Sequence, residues 1–216
     1  MAVTILMGKA GSGKSSQCFK ELQDWESGGG KAMLLVPDQA TYGAERRLAE
    51  HAKGQGFVGT QVVGFSRLAY NVFQEQGLSH ASLSELARKI ILQRLLHKGE
   101  KDFSLLQTAA RQPNFADTAG RFLGECRSFC VSPDDLRKAA ESVSSTTLSH
   151  KLQDMALLYD MYQAFLSDHF GSADDTMTLL AKTVDKDPFL QGARVWVDGF
   201  QWFTPQQMNI LQQIEA

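Results

Sequence analysis

The residues Gly8-Lys9-Ala10-Gly11-Ser12-Gly13-Lys14-Ser15 fit the spacing G-x-x-x-x-G-K-[ST] without a substitution. The chemistry this spacing supports is the binding of a nucleotide's phosphates. Glycines at 8, 11 and 13 let the backbone wrap so that successive N–H groups point at phosphate oxygens. A helix starting near Lys14 adds its positive dipole end. The Lys14 ammonium would reach the β- and γ-phosphates, and the Ser15 hydroxyl is an oxygen ligand for Mg²⁺. Lys9, Ala10 and Ser12 complete the cradle. The alternative is a glycine-rich strand–helix turn that holds no nucleotide.

Such a loop needs a carboxylate from another strand end to hold Mg²⁺, directly or through water. Asp198 follows the apolar run Val195-Trp196-Val197 and is the candidate, because a buried strand would carry it to the edge where the nucleotide sits. The alternative is a turn aspartate ahead of Gly199. Loop and aspartate lie far apart in sequence, so the sheet must close across everything between them.

The elements that must position these residues fall into three parts. From residue 1 to about 75, apolar β-branched runs alternate with helical segments. Val3–Met7 reads as a buried strand, followed by the loop and a helix through Trp25. Met33–Val36 is a second strand, 42–52 a helix, and Thr60–Phe65 a third strand after the glycine-punctuated stretch 54–59. Continuous apolar strands alternating with helices indicate a parallel sheet covered on both faces. From about 76 to 175 the pattern is helical only. Ser82-x-x-Glu85 reads as a capping-box start, and Leu83, Leu86, Ala87, Ile90, Ile91 and Leu95 repeat at helical spacing. Ser132-Pro133-Asp134-Asp135 opens another helix, and Leu152, Met155, Ala156, Tyr159, Tyr162 and Leu166 form a long stripe. From about 176 to 216 the first pattern returns, with a helix to Val184, a strand over Ala193–Asp198 and a last helix opened by Thr204-Pro205. That helix is still apolar at Leu211–Ile214 with no stop signal, so the chain reads as cut within a larger protein.

Composition is that of an ordinary globular chain of 216 residues, 43% hydrophobic and 21% charged. The 22 Lys+Arg against 24 Asp+Glu give a net charge of −2, which excludes the global basic footprint of a histone-like protein but not a local nucleic-acid groove. The helical stretch 76–175 carries 11 Lys+Arg and 13 Asp+Glu, so it is no basic clamp. No apolar run reaches the ~18 residues of a membrane span, and the start lacks the basic region of a signal peptide. The chain reads as a soluble cytoplasmic protein. Cys18, Cys126 and Cys130 form no disulfide framework. The last two, four apart in an expected helix, would share one face as small core side chains. The five histidines are scattered and join no ligand set.

Four blocks in order resemble the N-terminal region of the AddB (RexB) family, the B subunits of bacterial AddAB-type ATP-dependent helicase–nucleases. They are the phosphate loop, Leu35-Val36-Pro37-Asp38-Gln39-Ala40-Thr41, Val63-Gly64-Phe65-Ser66-Arg67-Leu68-Ala69, and Val197-Asp198-Gly199-Phe200-Gln201-Trp202-Phe203-Thr204-Pro205-Gln206-Gln207. The resemblance implies a RecA-like P-loop NTPase domain with a parallel sheet (1–75 and 176–216), interrupted by an all-helical insertion (76–175), as in the 1A/1B arrangement of superfamily 1 helicases. It implies ATP and Mg²⁺ as ligands, Gln201 among the nucleotide contacts, and an A subunit that supplies the motor. It also implies single- and double-stranded DNA as substrates in Chi-recognising double-strand-break repair. A nuclease domain and a [4Fe–4S] cluster would lie outside this segment. Gln39 and Thr41, with Ser66 and Arg67, would face single-stranded DNA. Phe65 would either stack a base or pack in the core, and Trp202 and Phe203 would either contact DNA or a subunit or pack in the core.

One departure bears on the chemistry. Superfamily 1 motors carry Asp-Glu-x-Gln at the second strand motif, where this sequence reads Asp198-Gly199-Phe200-Gln201. Glycine cannot accept a proton, and losing a positioned general base costs ~10²–10⁴ in rate. The expectation is Mg-ATP binding with weak or no hydrolysis. The rivals are an active superfamily 1 translocase, which the missing glutamate opposes, and a small-molecule P-loop kinase, which the acidic helical insert opposes.

Overall fold

The structure is a computed structural model that describes residues 3–51, 57–78, 83–112, 114–170 and 176–215. The chain divides into two compact units, Met1–His80 with Thr176–Phe203 and Gln207–Ala216, and Ala81–Asp175 with Thr204–Gln206.

The first unit is built on three short parallel strands, β1 (Ala32–Leu35), β2 (Thr60–Val63) and β3 (Arg194–Val197). Their order is β2-β1-β3, with Leu35 level with both Val63 and Val197. Every β1 side chain is buried, because helices cover both faces of the sheet, and this is why its sequence is unbroken apolar. One face packs Ala32, Leu34, Val62 and Trp196 against Phe19 and Leu22 of α1 (Lys14–Ser27) and Ala44 and Leu48 of α2 (Thr41–His51). The other face packs Met33, Leu35 and Val63 against Leu68 and Val72 of α3 (Phe65–Glu75). Leu180 of α9 (Thr176–Thr183) and Ile210 of α10 (Pro205–Glu215) complete that cluster.

Two expectations for this unit need correction. Val3–Met7 is not a strand: it joins no ladder, and Met7 is 90% exposed, with only Leu6 packed on the core. Among the described residues the ladder consists of β1, β2 and β3 alone, so apolar character by itself did not give this segment a hydrogen-bonding partner. The third strand also stops at Val63 and not at Phe65, which is already the first residue of α3 behind the N-cap Gly64. Ala52 and residues 54–56 lie outside the described residues.

The second unit is helical: α4 (Glu85–Lys98), α5 (Gln107–Ala110), α6 (Phe115–Ser128), α7 (Pro133–Ser142) and α8 (Thr146–Phe170). α7 begins at Pro133 as expected, and Ser132 and Asp135 close a capping box there. Met155, Ala156, Tyr159, Tyr162 and Leu166 of α8 are buried, as their spacing indicated. The start of α4 differs. Ser84 is its N-cap, accepting from the Ala87 amide, whereas Ser82 lies outside the described residues. The buried face is also rotated. Ile91, Leu92, Leu95 and Leu96 are inside, and Leu86 and Ile90 are 67% and 57% exposed. Cys126 and Cys130 do not share a helical face, because α6 ends at Ser128 and Cys130 is exposed beyond it. The buried Asp154 carboxylate accepts from the Ser104 hydroxyl and from the amides of Ser104, Leu105 and Leu106, which satisfies the donors leading into α5.

Candidate nucleotide-binding site

Residues 8–13 form an exposed loop that runs directly into α1. Gly13 is the N-cap at φ 85°, a left-handed conformation that glycine adopts without strain, and no side chain caps the helix. The first-turn amides of α1 are therefore available to an anion, and no acidic residue sits in that turn to compete for them. Ser12 N donates to Lys9 O, which closes the turn at 3.2 Å. Phe19 and Leu22, buried on the sheet, fix the helix behind the loop.

Lys14 folds back over the loop. Its Nζ donates to Gly8 O at 2.8 Å and Lys9 O at 2.9 Å. These are exposed bonds to neutral carbonyls, so a phosphate, a charged acceptor, would be a stronger partner for the same ammonium. Ser15 Oγ donates to Asp198 Oδ1 at 2.9 Å, which joins the start of α1 to the residue after β3. Asp198 is held there by its own amide, which donates to Leu35 O at 3.0 Å and extends the β1–β3 ladder by one bond.

The donor set fits a magnesium ion. A hydroxyl and a carboxylate are hard oxygen ligands, and here they are in contact beside a loop open to phosphate. Cys18, one turn along α1, is a poorer candidate for chemistry. Burial pushes its thiol pKa up, and the nearby charges of Asp198 and Glu21 add to the rise. Gln201 is exposed, and no hydrogen bond among the described residues joins it to the loop. Likewise, no group of three or more His, Cys, Asp or Glu residues able to hold a metal occurs among the described residues.

The other expected contacts gather at the carboxyl ends of β1 and β2. Asp38, two residues beyond Val36, accepts from the Ser66 amide at 3.2 Å and the Ser66 hydroxyl at 2.9 Å. Thr41 Oγ1 donates to Asp38 O at 3.1 Å. Gln39 and Arg67 are exposed. Of the two alternatives for Phe65 the structure has the core one and not base stacking: the residue is 3% exposed and packs edge-to-face on Phe200 at 5.7 Å, so its ring is not offered to a base. Trp202 is exposed, whereas Phe203 is partly buried against the core.

Sequence reasoning assigned no role to Asp38, although it lies between Pro37 and Gln39 in a stretch that resembles the family. It also missed the exposed rings of Tyr42, next to Thr41, and Tyr70, one turn beyond Arg67 on α3. Their signal was helical phase, since both fall opposite the buried residues of their helices.

These features define an α/β protein with a small parallel sheet, mostly helical outside it, whose glycine-rich loop and strand-end aspartate meet at one sheet edge. The chain belongs to the family described as "ADDB, N-terminal", which it matches over residues 5–216. It is 34% identical, over 99% of its length, to the B subunit of the ATP-dependent helicase/deoxyribonuclease of Desulforamulus reducens. It is 36% identical over 98% of its length to the same-named protein from Pelotomaculum thermopropionicum, and 34% identical over 99% to that of Bacillus subtilis. In each case the match covers 19% of the relative, so this chain spans about a fifth of the length of those proteins. No helix among the described residues is long and apolar enough to cross a membrane.

Proposed function

We propose that this chain is the RecA-like, P-loop part of the B subunit of an ATP-dependent helicase–nuclease, and that it binds Mg-ATP with weak or no hydrolysis. The observation that carries the reading is the Ser15–Asp198 hydrogen bond, which puts a hydroxyl and a carboxylate together beside the exposed glycine-rich loop. In this reading the loop amides and the α1 N-terminus hold the phosphates, and Lys14 exchanges the carbonyls of Gly8 and Lys9 for a phosphate oxygen. Ser15 and Asp198 hold Mg²⁺, which when bound offsets phosphate charge. Position 199, next to the metal aspartate, has no side chain to take a proton from water, so the site retains nucleotide and does not turn it over quickly.

The whole protein would act with an A subunit on single- and double-stranded DNA at double-strand breaks, with nuclease and [4Fe–4S] parts beyond this chain. Gln39, Thr41, Ser66 and Arg67 would contact single-stranded DNA along the edge that Asp38 organises. Arg67 supplies charge for phosphate, and the exposed Tyr70 ring in the following turn supplies a face for a base.

The test is ATP binding and phosphate release by this chain, with and without single-stranded DNA, and with Lys14→Ala as control. The expected result is saturable Mg-dependent binding, abolished by Lys14→Ala, with turnover well below that of a helicase motor. Rapid DNA-stimulated hydrolysis that Lys14→Ala removes would show an active translocase instead. Phosphoryl transfer to an added nucleoside would show a kinase.

A further inference from the structure

Asp198 directly follows β3 and is still tied to the ladder, through its amide on Leu35 O. Phe200, two residues on, is fixed in the core by ring contacts with Phe65 at 5.7 Å and Phe203 at 4.7 Å. The chain turns between these anchors at the single residue Gly199, whose φ is 82°. This left-handed conformation is open to glycine, tolerated by asparagine and unfavourable for β-branched and bulky side chains. Space is not the obstacle. A Cβ at 199 would lie 3.4 Å from Pro37 Cδ, an ordinary contact.

We infer that Gly199 is a positioning residue for Asp198: its left-handed turn sets the carboxylate on Ser15, and that turn cannot carry a glutamate without displacing the carboxylate. This rests on the Mg-nucleotide reading of the site and extends it. A side chain able to serve as general base and the observed Ser15–Asp198 contact make opposing demands on one backbone angle. Restoring a carboxylate at 199 therefore weakens the hold on a divalent cation–nucleoside triphosphate and does not create a hydrolase.

The experiment measures the dissociation constant of a fluorescent ATP analogue on the full chain, in Mg²⁺ and in EDTA, for the native protein and for Gly199→Asn, Gly199→Val and Gly199→Glu. Phosphate release is followed in parallel. Native protein and Gly199→Asn should show the same tightening by Mg²⁺. Gly199→Val and Gly199→Glu should lose about 10–100-fold of affinity in Mg²⁺, the usual cost of disturbing a group that orients a metal ligand, and change little in EDTA. Gly199→Glu should release phosphate no faster than native protein. Native-like Mg²⁺ response in Gly199→Val, or turnover gained by Gly199→Glu, overturns the inference. Equal losses in Mg²⁺ and EDTA overturn it too, since they mark general unfolding of the site. A native protein that binds nucleotide without any Mg²⁺ response defeats the nucleotide reading itself, and this inference with it.

Discussion

The Ser15 hydroxyl donates to the Asp198 carboxylate at 2.9 Å, joining residues 183 positions apart in the sequence. The helical unit of Ala81–Asp175 is encoded between them, so the site exists only once β3 has paired beside β1. The carboxyl edge of the sheet is thus where local sequence signals become a site: the loop alone is a turn, and the aspartate alone is a strand end.

Asp198→Asn separates structure from ligand binding. The amide oxygen can still accept from Ser15, so the ligand-free protein should melt within a few degrees of native. On the proposed reading its loss of charge weakens a metal ligand, and the stabilisation by Mg-ATP should largely disappear. If the native chain binds Mg-ATP as proposed, linkage gives a stabilisation of about 2.7 kcal/mol at a hundredfold excess over the dissociation constant. A thermal melt of both proteins with and without Mg-ATP decides it. Equal stabilisation of the two would remove Asp198 from the metal site.

Asp38 is expected to cap α3 from a distance. Its carboxylate accepts from the Ser66 amide, one of the free donors of the first turn, and from the Ser66 hydroxyl. Asp38→Ala should cost about 0.5–2 kcal/mol in urea denaturation, the range for loss of an N-cap. Gly64→Ala should be at least as damaging, because the added Cβ would come within 2.8 Å of the Asp38 backbone. The two changes should be less than additive, since both release the same contact. Full additivity would mean that they act separately.

The uneven legibility of the sequence has physical causes. The three strands could be read because a buried parallel strand must be continuously apolar, and residues 8–13 as a turn before a helix because of their glycines. Val3–Met7 has the same apolar character and still forms no strand: hydropathy marks a segment that can be buried, whereas a strand also requires backbone pairing with a neighbour, which this segment does not make. On α4, apolar residues at 86, 90, 91, 92, 95 and 96 surround much of the helix, so periodicity could not select the buried side, and tertiary packing chose the Leu92–Leu96 face. Asp38 was illegible for a different reason: its partner is 28 residues away, whereas capping patterns in sequence are local.

Cys130 offers a gain in stability. Past the end of α6 it adopts φ 56°, with its amide donating to Arg127 O and the Val131 amide to Cys126 O, the paired bonds that end a helix in a left-handed residue. Cysteine carries a steric penalty there that glycine does not, partly offset by the greater freedom of glycine in the unfolded chain. Cys130→Gly should stabilise by about 0.5–1 kcal/mol in denaturant titration. The same geometry leaves Cys130 the exposed thiol of the three, while burial raises the pKa of Cys18 and Cys126. A thiol reagent at neutral pH should label one cysteine quickly and the other two only on unfolding.

Asp135 gives the fold a defined response to acid. The hydroxyl of Ser132, then its amide, donates to the carboxylate and lowers its pKa below the ordinary value. A carboxyl with a lowered folded pKa contributes stability that is present in full above its unfolded value, about 3.9, and is lost as pH falls through the folded value. Asp135 is exposed, so screening keeps the effect small. The difference in stability between the native protein and Asp135→Asn should therefore be flat from neutral pH to about pH 5 and shrink below about pH 4. Urea titrations at a series of pH values test this directly. A difference that persists unchanged into acid would show that the α7 cap works through hydrogen bonding alone, without the charge.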